Sequence, residues 1–109
     1  MLSGLDRNER LLLLRFVCAY AWTDLEIKAG ERKFVERLAT RMDLSDDDRK
    51  EVEQWLHVAP APSDVDPKQV PAEHRRTFFE AVRAVMYADG EADAEEKQHL
   101  EELRAALGL

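Results

Sequence analysis

One acidic pattern occurs twice in this chain. Asp24, Glu26 and Glu31 spell D-x-E-x-x-x-x-E, and Asp89, Glu91 and Glu96 spell it again 65 residues later. The register holds on both sides of the pattern. Upstream, Leu13, Leu14, Phe16, Val17 and Tyr20 align with Phe78, Phe79, Ala81, Val82 and Val85, and Trp22 aligns with Tyr87. Downstream, Val35, Leu38 and Met42 align with Leu100, Leu103 and Leu107. Apolar residues at steps of three and four mark helices buried along one stripe, and no segment alternates at period two as a strand would. The chain therefore reads as two copies of a helix–acidic junction–helix unit, related by a pseudo-two-fold axis. The expected fold is all-α: a single domain over residues 1–109, with about five to six helices.

Punctuation places the helices. Asp6 with Glu9 forms a D-x-x-E capping box, opening a helix that runs to about Trp22. A second helix is expected from Ala29 to Met42. Ser45 with Asp48 opens a third, at about 45–57, which turns Val52, Trp55 and Leu56 inward. All four prolines fall between Ala59 and Pro71, so that segment is a linker, with room for one helical turn at Asp66 and Pro67. A fourth helix is expected from Ala72 to Ala88, with Gly90 as its C-terminal cap. Asp93 and Glu96 form another capping box and open a last helix to Leu107. The repeated halves span about 6–42 and 71–107.

With 109 residues there is room for one core. Acidic residues outnumber basic ones 23 to 16, a net charge of −7, which argues against general affinity for nucleic acid or anionic lipid. The apolar run from Leu11 to Trp22 contains Arg15 and falls short of the roughly 20 residues a membrane span needs. No membrane insertion is expected, and the cytoplasm is the expected compartment. Cys18 is the only cysteine, which excludes an internal disulfide and a thiolate zinc site; its apolar surroundings make it a core residue. The aromatics at 16, 20, 55, 78 and 79 fall at helical spacing and are read as packing groups. There is no nucleophile–base pair and no glycine-rich phosphate loop, so no catalytic residue is assigned.

The acidic junctions carry the remaining chemistry. A carboxylate where a helix ends meets the negative end of the dipole and carbonyls without internal partners, so it calls for a cation or a donor. Such an all-oxygen environment suits Ca²⁺ or Mg²⁺, which makes Asp89, Glu91, Glu96, Asp24, Glu26 and Glu31 the candidate metal ligands. The structural alternative is that Glu31, Glu96 and Asp93 cap the following helices and that Asp24 and Asp89 accept turn amides. An EF-hand is excluded, because the twelfth position from Asp24 is Val35 and from Asp89 is Leu100. A di-iron carboxylate site needs two E-x-x-H motifs. Glu96 and His99 form one, but the equivalent pair is Glu31 and Phe34. His99 is read as a part-buried packing residue, and His57 and His74 as surface residues. Residues 89–102 carry seven acidic side chains against Lys97 alone, whereas residues 24–37 balance four against four. The second junction is thus the stronger candidate.

The stretches AYAWTDLEIKAGERKFVERL, from Ala19, and AVMYADGEADAEEKQHLEEL, from Ala84, resemble the TerB-like (tellurite-resistance) family. In that family a long helix ends in an A-D-G-E-I-x-x-x-E loop that opens the next helix, twice per domain. Tyr87 to Glu96 follows the pattern, while the first copy has Leu25 in place of the glycine. The resemblance implies an all-α bundle shared with the N-terminal domain of the co-chaperone DjlA. It further implies a stress-response role as scaffold or sensor, a protein partner at a membrane-associated complex, and calcium binding through the six acidic residues. A metal-free, co-chaperone-like interaction module is the other reading.

Overall fold

The computed structural model describes residues 4–22, 27–60, 65–88 and 94–109. Among these residues there are five α-helices and no strand: α1 (Arg7–Ala21), α2 (Ala29–Arg41), α3 (Asp46–His57), α4 (Arg75–Met86) and α5 (Ala94–Ala106). Two short 3₁₀ turns, Pro67–Gln69 and Ala72–His74, precede α4.

Each start has a local cause. Asp6 accepts the Glu9 amide at 2.8 Å and Glu9 accepts the Asp6 amide at 2.9 Å, so the capping box of α1 is closed in both directions. Ser45 Oγ accepts the Asp48 amide at the head of α3. Asp66 caps the turn beginning at Pro67, as the linker composition suggested. The end of α2 is marked by Asp43 at φ 52°, a left-handed position that aspartate tolerates better than most side chains. Only α4 departs from expectation. The stretch from Ala72 forms a 3₁₀ turn first, closed by the His74 amide donating to the Pro71 carbonyl at 2.9 Å, and the α-helix begins at Arg75.

α1 is the central element. It packs most extensively against α4 and also touches α2 and α3, while α5 packs on α4. The core comprises Leu13, Phe16 and Val17 from α1, Val35 and Leu38 from α2, Val52 and Leu56 from α3, Phe78, Val82 and Val85 from α4, and Leu100 and Leu103 from α5. Phe16 meets Phe78 edge to face, ring centres 5.7 Å apart. Trp55 is half-buried rather than fully inward, with the Arg15 guanidinium 5.3 Å from its ring. No described helix is long and apolar enough to cross a membrane.

Polar contacts tie α1 to α3 at both ends and α2 to the end of α3. Arg7 donates a fork to Asp48, Nε to Oδ2 at 3.0 Å and Nη2 to Oδ1 at 2.9 Å. At the other end, the Trp22 indole donates to the carbonyl of Trp55 at 2.8 Å, and Arg32 donates to the carbonyl of Leu56 at 2.8 Å. Both carbonyls belong to the last turn of α3, where internal partners run out.

Candidate functional site

The acidic junctions join α1 to α2 and α4 to α5. Of their six candidate ligands, Asp24, Glu26, Asp89 and Glu91 lie outside the described residues, as do Gly90 and Asp93. Glu31 and Glu96 are described, and they behave alike. Each is the third residue of its helix, α2 or α5, and each is only 1% exposed. With Asp48, they are the buried charged or polar residues among those described.

That twin burial has a physical price, since a carboxylate withdrawn from water needs hydrogen bonds or a counter-charge. For Glu31, the Lys28 amide donates to Oε1 at 3.1 Å, and the helix start adds the favourable end of its dipole. Glu96 holds the same place in the first turn of α5. Leu100 and Leu103 follow it into the core, as Val35 and Leu38 follow Glu31.

The surroundings of the two junctions differ. Arg32, next to Glu31, is committed to the end of α3. At the second junction, Arg83 lies over the Tyr87 ring at 5.5 Å, and Glu95 and Lys97 are exposed beside Glu96.

The histidines require two corrections. His99 is exposed, not part-buried, whereas Glu96 three residues before it is buried. His74 is not a surface residue. Its side chain is 14% exposed, with Nε2 at 3.6 Å from Glu9 and 3.7 Å from Glu73. Glu9 and His74 lie 65 residues apart, and no local spacing in the sequence marks their contact. His57 is largely exposed, as expected.

Cys18 is fully buried, and burial pushes its thiol up to about 12, leaving no thiolate for chemistry at neutral pH. The grooves beside α2 are lined largely by Glu36, Arg37, Thr40, Arg41, Arg49 and Glu53, which form no nucleophile–base pair. No protein-family model, curated protein or solved structure matches the chain.

Proposed function

We propose that this chain is a non-catalytic TerB-like interaction domain of the stress-response type, a cytoplasmic scaffold or sensor whose acidic junctions take up Ca²⁺ or Mg²⁺. The observation that supports this reading is the shared burial of Glu31 and Glu96 at the third position of the helix after each junction. One buried glutamate at a helix start is a cap. Glu31 and Glu96 stand at the same repeat position, each preceded in sequence by two further carboxylates, which supports an all-oxygen donor set of the kind a hard cation takes. The second junction, with Asp89, Glu91 and Glu96, is the stronger site because little basic charge competes there. Cation uptake would set the geometry between successive helices and so the surface offered to a protein partner.

Calorimetry and thermal melts with Ca²⁺ and Mg²⁺ test this reading, together with metal analysis of protein purified without chelators. The expected result is binding heat and a raised melting temperature, both lost in Asp89→Asn. No heat and an unmoved melting temperature at millimolar ion would remove the cation from the proposal.

The contact from the Lys28 amide to Glu31 favours a second reading, a metal-free, co-chaperone-like module in which the acidic groups are caps. In that case Asp89→Asn lowers stability equally with and without divalent ions.

A further inference from the structure

The head of α1 and the turn before α4 bring together three side chains that the junctions do not use. His74 Nε2 stands 3.6 Å from Glu9 Oε2 and 3.7 Å from Glu73 Oε1, and the three donor atoms lie within 4.8 Å of one another. Both N···O separations are longer than a good hydrogen bond. They are close to the edge of a ligand tetrahedron around a zinc-sized ion, about 3.4 Å for bonds of about 2.1 Å.

One of the three donors is already held in place. Glu9 spends Oε1 on the Asp6 amide at 2.9 Å, which leaves Oε2 turned to the imidazole. The His74 and Glu9 side chains are 14% and 20% exposed, whereas Glu73 is 77% exposed. One imidazole with two carboxylates is a borderline donor set, suited to Zn²⁺ and its neighbours rather than to Ca²⁺.

We infer that Glu9, Glu73 and His74 form a binding site for a divalent transition metal of the zinc class, clipping the start of α1 to the entry of α4. This site is separate from the acidic junctions and stands or falls without them.

The test is titration of the full chain with Co²⁺, followed by its visible d–d absorption, and with Zn²⁺ by calorimetry. Glu73→Gln alters an exposed side chain, and Glu9→Gln keeps an oxygen for the Asp6 amide, so both variants should fold. The expected result is a tetrahedral Co²⁺ spectrum in the unaltered chain. Affinity should fall at least about tenfold in Glu73→Gln, Glu9→Gln and His74→Gln, the scale on which even supporting groups act. Asp89→Asn should bind as the unaltered chain does. Absence of the spectrum, or equal affinity in all these chains, overturns the site and leaves an ion-pair cluster between histidine and two glutamates.

Discussion

Asp48 links the stability of the fold to acid pH. The Arg7 fork holds its carboxyl below the usual carboxylate range, partial burial works against this, and Ser45 adds to the lowering. A carboxyl whose pKa is depressed by folding contributes stability above its unfolded value, about 3.9, and loses it as pH falls through the lower folded value. The melting temperature should therefore drop on acidification below about pH 4, and Asp48→Asn should flatten that part of the profile. Measuring both chains across the range checks it; parallel curves would show that the fork adds nothing. The capping residues were legible because a cap acts within four residues. The pairing of Arg7 with Asp48 was not, because its partners lie 41 residues apart.

At the scale of elements, caps and clamps set where helices begin and how they cross. Asp6→Ala removes one side of the capping box of α1 and should cost about 1 kcal/mol in a urea titration. Its effect should be the same in an Arg32→Met background, since the two sites share no partner. Helix identity was readable from apolar period and caps, and α1, α2, α3 and α5 begin within a residue or so of expectation. α4 begins late: the His74 amide donates to the Pro71 carbonyl at 2.9 Å, a 3₁₀ bond, before the α-helix starts at Arg75. That turn is what carries His74 toward Glu9 instead of outward.

For the molecule as a whole, one core around α1 and α4 carries the stability. Phe16→Ala deletes a ring that is buried against Phe78 and should cost about 3–5 kcal/mol, a large share of the 5–15 kcal/mol typical of such domains. A denaturation midpoint unchanged by that substitution would show the aromatic pair to be peripheral. The radius of gyration, 12.8 Å, is about that of a single domain of roughly 100 residues. By itself, the sequence determined the all-helical class, the stripes that enter the core and the capped starts of α1 and α3, because those depend on residues three or four apart. Tertiary structure alone decided that Glu31 and Glu96 are buried while His99 is exposed, and that Glu9, Glu73 and His74 meet. Those outcomes depend on how helices rotate and cross to bury their stripes together, and no local spacing specifies that.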